Sequence, residues 1–479
     1  MASSNHNKIL AVDLDGSLAK TDLLHECFIK ALYATPWILF LVPLWLLQGK
    51  TKLKQELTRR ANLNVDSLPF DEDLIAYLEA EKAKSREIIL CTGSWHTLAE
   101  QVCEKFSFFS GYYGSDESGN LTGSNKAKLL VEKYGENNFS YVGNENKDLK
   151  SWVKADSAVV VSNSMSLTET TTKSCPVEKT IIREKPSLKV INKQIRIHQW
   201  VKNVLVFVPL ITSHQAGNIE LFISCILAFF AYSFCASATY ILNDLSDLES
   251  DRKHHKKCFR PLASGALSIT QGLLISAILL AASFIISYFL PVWFFLSLIL
   301  YIVITLSYSF KLKRLQTVDI TVLASLYTLR IISGAAAISV LPSFWLLAFS
   351  MFVFLCLAII KRLSEIYKSK DTQDENYKLS GRGYYLNDFP VLMSLASTSG
   401  MLSVLVFAMY INSPEVAALY AEPYALWLIC PLLGYWIIRI IIMASRGEID
   451  EDPIVFAIKD KRSWVTGFII LLIILLSSI

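Results

Sequence analysis

The segment NDLSDLESD, residues 243 to 251, gathers four ionised carboxylates within nine positions, directly after a long apolar run. Asn243, Asp247 and Asp251 recur every four residues, so on a helix they line one face, with Asp244 beside them. Like charges at that spacing repel, and desolvation near a membrane raises the cost further. A cation is therefore expected. Oxygen donors at this density suit Mg²⁺, which keeps several waters and bridges to phosphates. A second acidic place lies near the start of the chain. KILAVDLDGSL, residues 8 to 18, reads as a buried strand that delivers Asp13 and Asp15 at its carboxyl end before a Gly turn, where ligands bind in open α/β sheets.

The elements that must position these residues belong to two kinds of protein. The chain has 479 residues, 53% of them hydrophobic, and a mean hydropathy of +0.40, too apolar for a soluble protein of that size. Residues 1 to about 185 have ordinary globular composition apart from one apolar patch, whereas 203 to 479 are long apolar runs separated by short charged stretches. The expected organisation is an α/β domain over 1–165, a Ser/Thr-rich linker over 166–190 and an all-α membrane domain over 191–479. The start, MASSNHNKIL, lacks the sections of a secretory signal, which is read as a cytoplasmic N-terminal domain. Nine scattered cysteines without a CxxC pair give no support for a zinc site or disulfide framework. A net charge of +4 singles out no partner, and no nucleic acid is expected.

Nine spans are expected, near 203–213, 219–242, 267–288, 291–308, 317–339, 342–360, 389–411, 424–444 and 463–479, judged against about 30 Å of hydrocarbon. The connections at 213–218, 289–290, 340–341 and 412–423 carry no Lys or Arg, whereas the others carry Arg252 to Arg260, Lys311 to Arg314, Lys361 to Arg382 (with Lys370), and Arg446 to Arg462. The positive-inside rule places those charged loops in the cytoplasm and the C-terminus outside. WILFLVPLWLL, 37–47, contains Pro43 and is too short to span. Followed by Lys50, Lys52, Lys54, Arg59 and Arg60, it fits a helix lying in the headgroup layer, with a buried core helix as the alternative.

In the soluble part, EIILCTGS ends a second strand at Thr92, Lys126 lies in GSNKAKLL, and SYVGNENKDL ends a third at Asn144 with Asp148 four residues on. This order of Asp-x-Asp-Gly, Thr, Lys and a closing acidic pair resembles the haloacid dehalogenase superfamily of phosphatases, over about residues 5 to 165. The resemblance implies a Rossmann-like fold with a small cap, here a membrane-associated one around 35–60. It makes Asp13 the nucleophile and Asp15 the general acid, with Thr92 and Lys126 on the phosphoryl oxygens and Mg²⁺ held by Asp13, Asp15, Asn144 and Asp148. Asn144 departs from the family's usual Asp, so a domain that has lost catalysis and acts in regulation stays open.

The pattern N-D-x-x-D-x-x-x-D after the second span, with nine spans, resembles the UbiA superfamily of intramembrane prenyltransferases over about residues 190 to 479. That resemblance implies Mg²⁺ on Asn243, Asp247 and Asp251, holding a diphosphate, with Asp244 alongside. Most aromatic prenyltransferases of the superfamily carry a second Asp-rich motif after the sixth span, and here that place reads KRLSE, with Lys361, Arg362 and Glu365. Lys and Arg bind phosphate oxygens directly. Further candidates for substrate binding are Lys202, Lys311, Lys313, Arg330 and Arg382, together with Asp319 for ribose hydroxyls or a second metal. Arg330 stands out because it sits inside an apolar span, where a charge needs a partner or ligand.

These segments resemble the polyprenyl-phosphate phosphoribosyltransferase branch of the superfamily. The expected function is transfer of 5-phosphoribose from phosphoribosyl diphosphate to a polyprenyl phosphate in a bacterial inner membrane, with the fused phosphatase removing the 5-phosphate. An aromatic prenyltransferase using a polyprenyl diphosphate, and a transporter with an acidic ion site, are the alternatives.

Overall fold

The computed structural model describes residues 8–369, 378–379, 382–414, 416, 420, 422–449 and 452–477. The start MASSNHN, Lys370 and parts of the 412–423 connection lie outside the described residues. The chain divides into two compact units, Met1–Ile195 with Tyr240–Ser276, and Arg196–Thr239 with Ala277–Ile479. The acidic segment NDLSDLESD thus belongs to the first unit, and the expected boundary at 190–191 does not separate it from the N-terminal domain.

The first unit is built on a six-stranded sheet in the order β3-β2-β1-β4-β5-β6. The strands are β1 (Ile9–Val12), β2 (Ile88–Trp95), β3 (Gly111–Ser115), β4 (Phe139–Gly143), β5 (Ser157–Ser162) and β6 (Val177–Ile182), and every pairing is parallel. Parallel strands need crossovers, which cover both faces and bury the central strands completely. β1 shows this directly: Leu10 and Val12 join one hydrophobic cluster and Ala11 the other. Strand order reverses at β1, flanked by β2 and β4, so the crevice at its carboxyl end is the expected binding place.

The 166–190 linker expectation is overturned. That stretch holds most of a helix, Met165–Thr172, and then β6. β6 is an edge strand whose side chains are mostly half-buried or exposed, with Ile181 the buried one, so its apolar alternation was too dilute to read among the Ser and Thr residues.

Three helices between β1 and β2 matter for the site. α1 (Leu23–Ala34) is capped by the Asp22 side chain, which accepts from the His25 N–H. α2 (Ile38–Leu47) contains Pro43 and no charge, and α3 (Lys50–Ala61) is strongly basic.

Among the described residues, seven helices are long and apolar enough to cross a membrane: Ile219–Ser246, Ile269–Ser287, Val292–Phe310, Val318–Ala337, Phe344–Lys368, Leu386–Ile411 and Pro423–Ser445. Nine were expected. The first expected span, 203–213, is a 3-10 helix over Ile197–Phe207 that passes into a short α-helix, Val208–Thr212. It packs so closely on the helix Val318–Ala337 that a Cβ at Gly334 would lie 2.0 Å from the Val206 carbonyl oxygen. Val206, Pro209 and Leu210 of this segment are buried against protein, so part of its apolar composition reflects packing, while Val204 and Ile211 stay exposed. The ninth, Lys461–Ser477, has 17 residues, just under the roughly 20 a span needs.

Candidate active sites

Asp13 follows β1 directly and is 5% exposed. Its Oδ1 accepts from the Leu14 N–H at 2.9 Å and from Lys126 Nζ at 2.8 Å. Lys126, on the helix Ser124–Tyr134, also donates to the Tyr141 hydroxyl at 2.8 Å, which donates to Asp148 Oδ1 at 3.0 Å. The Asn144 and Glu145 N–H groups hold Asp148 Oδ2, each at 3.0 Å. Burial pushes the Asp13 carboxyl up to about 7 against the pull of Lys126, with Asp148 and Asp15 adding to the rise. Burial opposes the charge on Lys126, yet Asp13 and Asp148 hold its pKa above the ordinary lysine value.

Asp15 belongs to a neighbouring set. It accepts from the Leu23 N–H at 2.9 Å, the Ser94 hydroxyl at 2.8 Å and the Thr92 hydroxyl at 3.1 Å. Burial raises its pKa, in the direction a general acid requires. Asn144 Oδ1 accepts from Ser17 at 3.1 Å. Gly16, at φ +71°, must be glycine both for that angle and because a Cβ would meet Asn144 Nδ2 at 2.4 Å.

The structure thus brings Asp13, Lys126 and Asp148 into one network, and Asp15 and Thr92 into another. Four residues around these two networks were not singled out from the sequence as site residues. Tyr141 bridges Lys126 and Asp148, and Ser94 repeats the hydroxyl of Thr92 two residues on. Arg183, just after β6, pairs with Asp71 at 2.6 Å and donates to the carbonyls of Gly16 and Ser17, pinning the Asp-x-Asp-Gly turn. Lys54, on α3, donates to Asn120 Oδ1 at 2.7 Å and to the Gly93 carbonyl.

The acidic motif 243–251 also lies in the first unit. The helix ending at Ser246 breaks at Asp247, and Leu248–Lys253 begins a new one. Backbone bonds from the Asp247 N–H to the Asn243 carbonyl and from the Asp251 N–H to the Asp247 carbonyl keep the four-residue spacing across the break. Asn243 Nδ2 donates to Asp247 Oδ2 at 3.3 Å. Asp244 and Asp251, each 2% exposed, share Arg260, whose Nη1 lies 3.1 and 2.5 Å from them. Gln194 adds a bond to Asp244 at 2.9 Å. Burial raises the Asp251 carboxyl, with Arg260 opposing. Part of the cation demanded by this cluster is therefore supplied by the chain itself.

The cations of the second unit are organised on carboxylates. Lys202 and Lys361 both reach Asp452 Oδ2, at 2.7 and 3.2 Å, and the Tyr327 hydroxyl donates to the same carboxylate at 3.0 Å. Burial opposes ionisation of Asp452, but Lys361 and Lys202 hold it well below the usual carboxylate range. Arg362 and Asp319, both fully buried, sit 2.6 Å apart as an ion pair. Arg362 also pairs with Glu365, and Arg382 approaches Glu365 at 3.6 Å. The Tyr308 hydroxyl donates to Asp319 at 2.7 Å and accepts from Arg362 and Arg382. Asp319 is thus engaged by arginines and Tyr308.

Arg330 lies within 5.4 Å of the ring centroids of Tyr232, Tyr301 and Tyr327 and donates to Asn203 Oδ1 at 2.9 Å. Aromatic faces and an amide answer the cost of burying it. Lys311 follows the helix Val292–Phe310 as its C-cap, with Lys313 in the next turn. Asp452 was missed because it reads as an ordinary Asp-Pro helix cap.

No group of three or more His, Cys, Asp or Glu side chains poised for a metal occurs among the described residues. Mg²⁺ commonly takes one or two carboxylates and completes its shell with water and substrate phosphate, and both acidic sets fit that use. At Asp13 the described hydrogen bonds fall on Oδ1, leaving Oδ2 for a cation. At Asn243 the amide nitrogen is turned to Asp247, leaving the carbonyl oxygen.

Residues 204–475 match the model of the UbiA prenyltransferase family. The uncharacterized protein y4nM of Sinorhizobium fredii is 35% identical over 96% of this chain and 89% of its own length. The nodulation protein NoeC of Azorhizobium caulinodans is 33% identical over 56% of this chain and 87% of its own. Decaprenyl-phosphate phosphoribosyltransferase of Mycobacterium tuberculosis is 33% identical over 38% of this chain and 61% of its own length. With the matching model covering more than half of its residues, and seven candidate spans among those described, the chain belongs to the UbiA prenyltransferase family.

Proposed function

We propose that the membrane domain transfers 5-phosphoribose from phosphoribosyl diphosphate to a polyprenyl phosphate. The observation that carries this reading is the convergence of Lys202 and Lys361 on Asp452. Lys361 stands where aromatic prenyltransferases have a second acidic motif, and paired lysines recognise phosphate oxygens where such a motif would recruit metal. The similarity to decaprenyl-phosphate phosphoribosyltransferase supports the same substrates.

In this reading a lipid phosphate oxygen attacks the anomeric carbon as the bond to diphosphate breaks. Asn243, Asp247 and Asp251 would hold Mg²⁺, which when bound offsets charge on the leaving diphosphate. Arg260 fixes Asp244 and Asp251, and Lys202 and Lys361 bind phosphate.

The N-terminal domain then acts as a phosphatase on the phosphoribosyl lipid. Asp13 attacks phosphorus as Asp15 protonates the departing oxygen, Lys126 and Thr92 steady the phosphoryl oxygens, and water then displaces the phosphoryl group from Asp13 as phosphate. Asn144 and Asp148 would complete the surroundings of a bound Mg²⁺, Asp148 chiefly by holding Tyr141 and through it Lys126. Both sets of chemistry are assigned to the cytoplasmic side by the positive-inside rule.

The test is incubation of membranes with radiolabelled phosphoribosyl diphosphate and polyprenyl phosphate, comparing wild type with Asp247→Ala. Label should pass into lipid and then lose its phosphate, and Asp247→Ala should stop the first step. Turnover of prenyl diphosphate with hydroxybenzoate in its place would overturn the reading.

A further inference from the structure

α2 leaves most of its surface bare. Ile38 and Trp45 are buried, and Trp45 is held under the Arg60 guanidinium at 4.5 Å from the ring centroid. That contact fixes the helix against its own domain. Trp37 and Phe40 are each 73% exposed and Leu47 is 86% exposed, while Leu39, Leu44 and Leu46 are about half exposed. An apolar patch of this kind on a folded domain marks an interaction surface. Ten residues rise only about 15 Å, half a bilayer core, so the helix cannot cross.

The chemistry next to the patch identifies what covers it. α3 begins three residues after α2 ends and carries five cations, Lys50, Lys52, Lys54, Arg59 and Arg60, against one carboxylate, Glu56. Glu56 is shared by Lys52, Arg59 and Arg60, so the segment keeps a positive excess. An uncharged aromatic and leucine-rich helix flanked by cations suits the boundary between acyl chains and anionic headgroups. The same chain carries helices able to span a bilayer, so that surface is always at hand.

We propose that α2 docks the N-terminal domain onto an anionic phospholipid surface, with Trp37, Phe40, Leu44 and Leu47 inserted at the acyl boundary. The α2–α3 pair then joins that surface to the phosphatase centre. Lys54 is seven residues past Leu47, and its ammonium is bonded to the Gly93 carbonyl, between Thr92 and Ser94, both of which hold Asp15. A phosphate ester carried on a lipid would thus meet Asp13 without leaving the bilayer. This last consequence rests on the phosphatase reading; the docking does not.

The test uses the full chain in nanodiscs containing phosphatidylglycerol, with a photoreactive benzoylphenylalanine at position 40 or 47, and at the exposed Glu136 as control. Crosslinks to phospholipid are expected at 40 and 47 and not at 136, weakening several-fold when phosphatidylglycerol is replaced by phosphatidylcholine. A crosslinked dimer of the chain, or no lipid adduct, overturns the proposal. Phe40→Glu with Leu47→Glu should lower dephosphorylation of the lipid substrate at least tenfold while hydrolysis of soluble p-nitrophenyl phosphate stays unchanged. Equal loss on both substrates argues against docking, whereas lipid crosslinking with no hydrolysis by wild type leaves docking intact and removes the phosphatase reading.

Discussion

Glu26 and Arg252 form a buried ion pair at 2.6 Å, with side chains 3% and 7% exposed. Glu26 lies on α1, whose first amide, at Leu23, holds Asp15, and Arg252 follows Asp251 of the acidic motif. The Thr21 hydroxyl and the Ala263 carbonyl complete the two groups. Removing one member of such a pair leaves a charge without its counterion, at about 3–5 kcal/mol. Glu26→Ala should therefore lower the melting temperature of the purified chain by many degrees and slow both proposed reactions, with Glu26→Gln intermediate. A melting curve unchanged in Glu26→Ala would show that the pair contributes nothing.

The pH dependence of the first centre follows from Asp13. Its folded pKa of about 7 lies above the ~3.9 of an unfolded aspartate. Between those values the folded state holds the proton more tightly, so stability declines as pH rises from about 4 to about 7. In the metal-free chain the melting temperature should fall over that interval, and Asp13→Asn should flatten the fall. In the proposed phosphatase reaction, activity at limiting Mg²⁺ should climb through about pH 7, since the attacking form of Asp13 is the ionised one, and excess Mg²⁺ should move that limb to lower pH.

How much of this was legible in sequence depended on the range of the interactions. Asp13 and Asp15 lie just past the end of β1, where periodicity and turn residues mark them locally, and Thr92 lies within β2, which runs on to Trp95 beyond the strand end expected at Thr92. Tyr141 and Arg183 act across folds of the chain: Arg183 reaches back 167 residues to Gly16, and no local pattern announces that. Hydropathy alone could not distinguish the packed segment at 203–213 from a span, because burial in protein and burial in lipid select the same residues. The charge excess around NDLSDLESD was legible, but its partial answer, Arg260, read as one more topogenic loop cation.

The same limit concealed Asp452, which yields a sharper prediction. Asp452→Asn leaves Lys202 and Lys361 without their shared anion, and their ammonium groups lose a fixed position. In the proposed reaction the KM for phosphoribosyl diphosphate should rise by roughly tenfold, the scale of 1.4 kcal/mol. Because residues sharing one network do not act independently, Lys202→Ala combined with Asp452→Asn should cost less than the two separate losses together. Strict additivity would place Lys202 outside the substrate site.

The acidic motif divides into carboxylates that Arg260 already neutralises, Asp244 and Asp251, and the Asn243–Asp247 pair. The two kinds should fail differently. Asp244→Asn removes a buried partner of Arg260 and Gln194, so its main effect should be a lower melting temperature with the Mg²⁺ requirement little changed. Asp247→Ala should leave the melting temperature nearly intact and reduce transfer by about 10²–10³, the scale of losing charge stabilisation in a reaction centre. Titrating Mg²⁺ from a chelated starting point separates them: Asp247→Ala should need far more metal or not respond, while Asp244→Asn should follow the wild-type curve. If both variants shift the metal curve equally, Asp244 is a ligand of the ion alongside Asp247 and not only a partner of Arg260.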